Sequence, residues 1–369
     1  MPKNCEVIVV GGGPAGIVAA IAARRQGLQA IVLDARVPPI DKPCGECILP
    51  KGVAALRTLG IPLPPESALS FRGFKFVDEK HSARADFAGA TAFSVRRVKL
   101  HQLLVNHAID AGVEFRWGAR VTKIDEKLVT TAQENFSYRW LVGADGQNSQ
   151  VRKWTGLDSS NVGKKRFGFC SHFQMKPWSD AVEVHWARGC QIFVTPMAEQ
   201  EVGIAVLSSD PGMRLERALP TFPAIAEKLL GAPRTTSEAG DTTCLRTLPA
   251  VTRGRVALVG DASGTVDAVT GFGLSLSFQQ GIALAGGMKL GDLSHYQSAH
   301  KQIAKVAVTM TRLMLLMDSS EWIRKRTIRM FQKTPALFSK MLAIHTEVTL
   351  LSSVGMADIA DFGWKFLRT

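Results

Sequence analysis

The turn Gly11-Gly12-Gly13-Pro14-Ala15-Gly16 constrains this chain more than any other stretch. The apolar run Glu6 to Val10 leads into it, and a small-residue helix is predicted from Ile17 to Arg25. A second strand, Gln29 to Leu33, then ends at Asp34 and Ala35. Strand, glycine turn, helix, strand and acid in that order predict a dinucleotide site. Gly11 allows the tight turn, Gly13 lets the backbone approach a pyrophosphate, and Gly16 lets helix and sheet pack closely. The helix start at Pro14 and Ala15 is where a pyrophosphate would be held, against the unpaired backbone N–H groups of the residues after the proline. Asp34 can accept hydrogen bonds from a ribose and disfavours a 2′-phosphate, which leaves FAD or NAD as the occupant.

With 369 residues, 46% hydrophobic and 21% charged, the composition is that of a folded α/β protein. The formal net charge of +13 suits nucleic acid, an acidic substrate or an anionic surface. No zinc-finger spacing, basic arm or aromatic-basic interleaving accompanies it, so nucleic-acid binding is not expected. Six cysteines do not make a disulfide framework, and Met1-Pro2-Lys3-Asn4 runs straight into a buried-type strand. A reducing, cytoplasmic setting is therefore expected, with no membrane-spanning helix. Cys44 and Cys47 have no histidine near them, so no metal site is expected.

Two further strand-to-acid segments return later: Trp140 to Asp145, and Arg255 to Asp261. The expected organisation is a discontinuous nucleotide domain over 1–70, 93–160 and 246–290, a sheet domain over 71–92 and 161–245, and a helical region over 291–369. Between Arg166 and Leu207 the period is two, as in an antiparallel sheet with one covered face. Phe167, Phe169, Val182, Val184, Trp186, Phe193 and Val194 or their alternates would line that face, suited to an aromatic or lipid-like molecule. A one-residue slip would instead turn Glu183 and His185 inward, where His185 can act as a base. Both registers stay open at this stage.

Taken together, the three segments resemble the FAD-dependent monooxygenases of the aromatic hydroxylase type and their relatives, the geranylgeranyl reductases and flavin-dependent halogenases. Gly11 to Gly16 resembles the first fingerprint, Gly143-Ala144-Asp145-Gly146 with Ser149, Val151 and Arg152 the second, and Gly260-Asp261-Ala262 with Gly271 and Gly273 the third. The resemblance implies a Rossmann-like FAD-binding domain with an inserted antiparallel-sheet substrate domain and C-terminal helices. It assigns Asp261 to the ribityl chain or pyrophosphate of FAD. Thr270, Gly271, Phe272, Gly273 and Leu274 would lie beside the isoalloxazine. Arg97 would sit near the flavin or its phosphates, a cation suited to negative charge on the reduced ring. Asp145 has a cofactor role in the resemblance, which can coexist with capping a turn.

The implied reaction is an NADH- or NADPH-driven hydroxylation of a hydrophobic small molecule through a C4a-hydroperoxyflavin, with electrons drawn from the nicotinamide directly or through a separate flavin reductase. Pro43-Cys44-Gly45 with Pro50, and Ser263-Gly264 after the third motif, lean instead toward the reductase branch, which transfers hydride to an alkene. There the Cys44 loop would be the place to look for the proton donor. A halogenase, a dithiol flavoprotein using Cys44 and Cys47, and a non-catalytic flavin binder are lesser alternatives. The helices beyond residue 290 carry an apolar face at Met310, Leu313, Met314, Met317, Ile328, Met330 and Phe331 beside Arg324, Lys325, Arg326 and Arg329. Over residues 310–331 that pattern fits a peripheral membrane contact, a cap on an acyl-binding tunnel, or packing on the flavin domain.

Overall fold

The computed structural model describes residues 2–353 and 355–368. Its first layer is a mainly parallel sheet with the strand Lys3–Val10 at the centre, paired to Ala30–Asp34 on one side and Asn135–Gly143 on the other. Glu114–Trp117 and Val256–Leu258 extend it in parallel, and Thr252–Arg253 closes one edge in antiparallel sense. Val7, Ile8, Val9 and Val10 are all buried, as a strand covered on both faces must be. The meander Val121–Ile124, Leu128–Thr131 and the start of Asn135–Gly143 hangs from the same sheet.

The helix Pro14–Arg25 lies between this sheet and the helix Gly273–Leu290. Small residues make the three layers possible. A side chain at Gly281 would press on the Ala19 backbone, so glycine there sets the spacing of the two helices.

The second layer is a seven-stranded sheet in the order Ala239–Thr243, Arg166–Gln174, Glu201–Ser208, Cys190–Ala198, Val182–Ala187, Gly73–Val77, Ser82–Asp86. Only the Val182–Ala187 pairing with Gly73–Val77 is parallel. Cys47–Ile48, Ala92–Val95 and Ala68–Phe71 form a separate three-stranded sheet, which binds the Cys44 loop into the fold. The large sheet departs from the one-covered-face expectation. One face carries Val184 and Trp186, and the other packs Ile192, Val194 and Ile204 beneath Leu215, Phe222 and Ile225. The short helices Leu215–Ala218 and Pro223–Leu229 supply that second cover.

Four helices finish the chain: Ser294–Ser319, Glu321–Lys333, Pro335–His345 and Met356–Arg368. The pattern from Glu321 to Leu351 predicts continuous helix, but it breaks at Thr334, because a residue before proline is driven out of the helical region. Met310, Met317, Ile328, Met330 and Phe331 are buried against the large sheet. The basic residues beside them are engaged: Arg324 is buried, Lys325 pairs with Glu321, and Arg326 donates to the carbonyls of Phe366 and Leu367. No helix among the described residues is long and apolar enough to cross a membrane.

Candidate active site

The glycine turn is built as its sequence demands. Gly11 has φ +114°, and a side chain there would collide with the Ala144 carbonyl, while one at Gly16 would collide with Gly11 itself. Gly13 is different. Its backbone is extended, and the nearest atom a side chain would meet is Arg97 Nη2, at 4.0 Å. The turn is therefore closed on the sheet side and open on the side where a ligand approaches. Pro14 and Ala15 begin the helix, and Asp34 holds the turn by accepting from the Gly12 N–H at 2.7 Å and the Arg36 N–H at 2.8 Å. Its remaining lone pairs are available to a ribose. Ala35 follows at the strand end. His101 Nε2 donates to the Gly12 carbonyl at 2.8 Å, a support that sequence patterns did not single out.

Arg97 is buried at the first turn of the helix Arg97–Asp110, with Nη1 lacking a hydrogen-bond partner among the described residues. Burial pushes its guanidinium below the usual range. A buried cation with an open donor beside a glycine turn asks for an anion. FAD fits that demand, since its diphosphate and reduced ring both carry negative charge; no metal cluster competes for the role among the described residues.

Asp145 caps the short helix Gln150–Trp154, accepting from the N–H groups of Gln150 and Val151 and from the Ser149 hydroxyl. Arg152 carries the second motif across to the third: Nη1 donates to the Ala262 carbonyl at 3.1 Å and Nη2 to the Gln147 carbonyl at 3.0 Å. Gly260 has φ +58° and abuts Ala15, so motifs one and three touch. The Asp261 carboxylate faces Lys42 at 3.5 Å, and Lys42 also meets Asp241 at 3.2 Å.

Between the two sheets lies a cavity of about 230 Å³. Its floor comes from Thr270, Gly271, Gly273 and Leu274, at the N-terminus of the long helix Gly273–Leu290, and its roof from Phe169, Val182 and Phe193. Gly271 takes φ +70°, which turns the chain into that helix. Phe272 is not part of this wall; its buried ring packs on His345 instead. Asp267, fully buried, fixes the floor by accepting from the Val269 N–H at 3.1 Å. It pairs with buried Arg166 at 2.8 Å, which also meets Asp318 at 3.3 Å. Burial pushes the Asp267 carboxyl up even so.

The loop Pro43 to Cys47 forms the remaining side. Glu46 holds it in place with φ +57°, accepting from the Arg97 N–H at 2.7 Å and facing His172 Nε2 at 2.6 Å. Arg96 bridges Glu46 to Glu201. Neither Arg166–Asp267 nor Glu46–His172 is apparent from sequence spacing, because each joins elements far apart in the chain. Only the position of Glu46 inside the cysteine loop hints at it. Cys44, Cys47 and Cys170 all line the cavity as free thiols. Burial pushes all three up, Cys47 to about 12 and Cys170 to about 11, so none is poised as a thiolate.

His185 is not brought to this site. Its neighbour Val184 takes the cavity side of the strand, and His185 turns to the opposite face, 2.8 Å from Glu183, which also binds Trp178 and Lys75. The slipped register is thus corrected: Val182, Val184 and Phe193 face the cavities, and Val194 faces away.

A second cavity of about 330 Å³ adjoins the first and shares Phe74, Val269 and Thr270 with it. Met310, Met314, Met341 and Phe338 from the C-terminal helices complete its wall.

The menaquinone reductase of Mycolicibacterium smegmatis is 26% identical over 331 residues, a match covering 81% of this chain and 80% of that protein. The p-nitrophenol 4-monooxygenase of Pseudomonas putida superposes with a TM-score of 0.77 at 19% identity, covering 99% of this chain and 98% of the other. A geranylgeranyl bacteriochlorophyll reductase-like protein of Thermoplasma acidophilum superposes with a TM-score of 0.72 at 19% identity, covering 98% and 96%. At those identities the two superpositions speak for the fold alone. A family model described as an FAD binding domain matches residues 4–291, and the chain belongs to that family.

Proposed function

We propose that this FAD-dependent oxidoreductase is a monooxygenase that hydroxylates a hydrophobic aromatic molecule carrying an apolar chain. NADH or NADPH supplies the electrons, directly at the flavin or through a separate flavin reductase. The observation that carries the reading is the junction of the two cavities at Phe74, Val269 and Thr270. A flat head can lie on the Thr270–Leu274 floor while its tail continues among methionines and phenylalanines. Bound FAD supplies the redox chemistry and the activation of oxygen. The chain does the rest. Arg97 offsets negative charge, Asp267 fixes the floor, and the C-terminal helices keep water away from the apolar wall.

A second reading, hydride transfer to an alkene, is favoured by one observation: Cys44 lines the cavity with a thiol that burial keeps protonated, a proton source in place. The two are separated by supplying FAD-loaded protein with NADH or NADPH, isotopic ¹⁸O₂ and alkylphenols of increasing chain length. One ¹⁸O atom in the product, with turnover rising along the series, supports the monooxygenase. A polyprenyl quinone that gains two hydrogens and no oxygen, with the phenols untouched, supports the reductase.

A further inference from the structure

The helices Ser294–Ser319, Glu321–Lys333 and Met356–Arg368 leave large apolar side chains in water. Leu313 and Leu316 are nearly half exposed, Trp322 and Trp364 are each 57% exposed, and Leu367 is 68% exposed. These side chains belong to one patch. Trp322 meets Phe366 edge-on at 5.5 Å, which sets the last helix beside Glu321–Lys333. Trp364 and Leu367, three positions apart, share a face of that last helix. Leu313, Leu316 and Trp322 also line the second cavity, so its mouth lies inside the patch. A folded protein rarely leaves contiguous hydrocarbon at the opening of an apolar cavity without something to cover it.

The charges around the patch indicate what the cover is. Arg326 lies over the rings of Trp322 and Phe366, at 4.9 and 5.7 Å, and Arg368 lies over Trp364 at 4.2 Å. Exposed Arg312 adjoins Leu313 and lies one turn from Leu316. The nearby acids Glu321 and Asp361 are held by Lys325 and Lys365. Tryptophans with arginines on their faces, set among leucines, suit the headgroup zone of a bilayer: the rings enter the apolar boundary and the guanidinium groups meet phosphate.

We propose that this patch is a docking surface for an anionic phospholipid bilayer, and that docking sets the mouth of the second cavity against the acyl layer. No described helix is long and apolar enough to span, so the contact is with one leaflet. A substrate with an apolar tail then enters tail-first from lipid rather than from water. That entry step rests on the proposed reading of the two cavities; the docking itself does not. The plainer role, packing on the large sheet, accounts for Met310, Met317 and Phe331, which are buried, and leaves Trp364 and Leu367 without a purpose.

The test uses the full FAD-loaded chain and extruded vesicles, with no substrate present. At low salt the protein should float with vesicles rich in phosphatidylglycerol, and far less with phosphatidylcholine alone. Trp364→Ser combined with Leu367→Ser should weaken binding at least about tenfold, the worth of two partly buried apolar side chains. Thermal melting should not change, because neither residue is buried. Arg312→Glu combined with Arg368→Glu should also weaken binding to phosphatidylglycerol vesicles at least about tenfold. Brominated lipid should quench the tryptophan fluorescence of the parent more than that of Trp364→Ser. Failure to float on anionic vesicles at low salt overturns the proposal, as does binding that the two serine changes leave intact. A dimer that those changes dissolve, with no vesicle binding, assigns the patch to a second copy of this chain instead. Because vesicle binding is read without turnover, its failure is distinct from failure of oxygen transfer to an alkylphenol.

Discussion

Glu46 Oε2 lies 2.6 Å from His172 Nε2, joining the cysteine loop to the large sheet across 126 positions of sequence. The same carboxylate accepts from the Arg97 N–H, and its residue sits at φ +57°, where a non-glycine backbone is rarely found. The cavity wall therefore depends on one buried side chain. Glu46→Ala should cost about 3 kcal/mol, because His172 and the Arg97 N–H are left buried without a partner. Glu46→Gln, which keeps an acceptor, should cost about 1 kcal/mol. Urea melts of the two variants check the order; equal losses would mean the carboxylate matters only for its volume.

Gly13 and Gly16 should fail in different ways when changed to alanine. At Gly16 the added methyl meets the Gly11 backbone, so loss of stability by about 1–3 kcal/mol or more is expected with or without FAD. At Gly13 no protein atom lies closer than 4.0 Å, so the apoprotein should melt like the parent while FAD binds at least about tenfold more weakly. A Gly13→Ala protein that retains FAD normally would show that the backbone is not approached there.

Arg97→Met should separate stability from cofactor binding. The apoprotein loses a buried guanidinium whose Nη1 is unpaired, and should be no less stable than the parent. FAD affinity should fall by about 10- to 100-fold, the worth of a charge-assisted hydrogen bond. Fluorescence titration of the apoprotein with FAD measures the second effect and thermal melting the first.

Cys47→Ser should leave turnover within about threefold of the parent. With burial holding the Cys47 thiol near about 12, almost none of it is thiolate at neutral pH. A thiol reagent should likewise modify Cys47 slowly in native protein. Complete loss of turnover with FAD still bound would revive the dithiol reading.

The His185 partner sets an acid limit on stability. Burial alone would raise Glu183, but hydrogen bonds from His185 and Trp178 and the charge of Lys75 bring it from 4.5 to about 2. A carboxylate depressed in the folded state adds stability that is complete above about 4.5 and disappears as pH falls toward 2. Glu183→Gln should flatten melting temperature against pH across that window, with a contribution on the order of 3 kcal/mol at stake. An unchanged slope would place the acid sensitivity elsewhere.

The glycine turn, Asp34 and the motifs at Asp145 and Asp261 were visible in sequence because each is local: a fixed spacing of small and acidic residues does one geometric job. His185 shows where period two runs out. Alternation says that Val184 and His185 face opposite ways, but not which faces the cavity, and the helices Leu215–Ala218 and Pro223–Leu229 cover the far side as well. Arg166–Asp267 and Glu46–His172 were invisible for another reason. Each is a buried polar pair formed by elements that only the folded topology brings together. His345 belongs with them: its partner Thr270 lies 75 positions earlier, in a loop already assigned to the flavin.

The wall shared through Phe74, Val269 and Thr270 makes the C-terminal helices a ruler. On the proposed reading, a tail lying among Met341 and Phe338 would set, by its length, which atom of the head rests over the Gly271 floor. Regiochemistry in such a protein is then written more than sixty residues downstream of the flavin motif, in the sizes of side chains that never touch the reacting carbon.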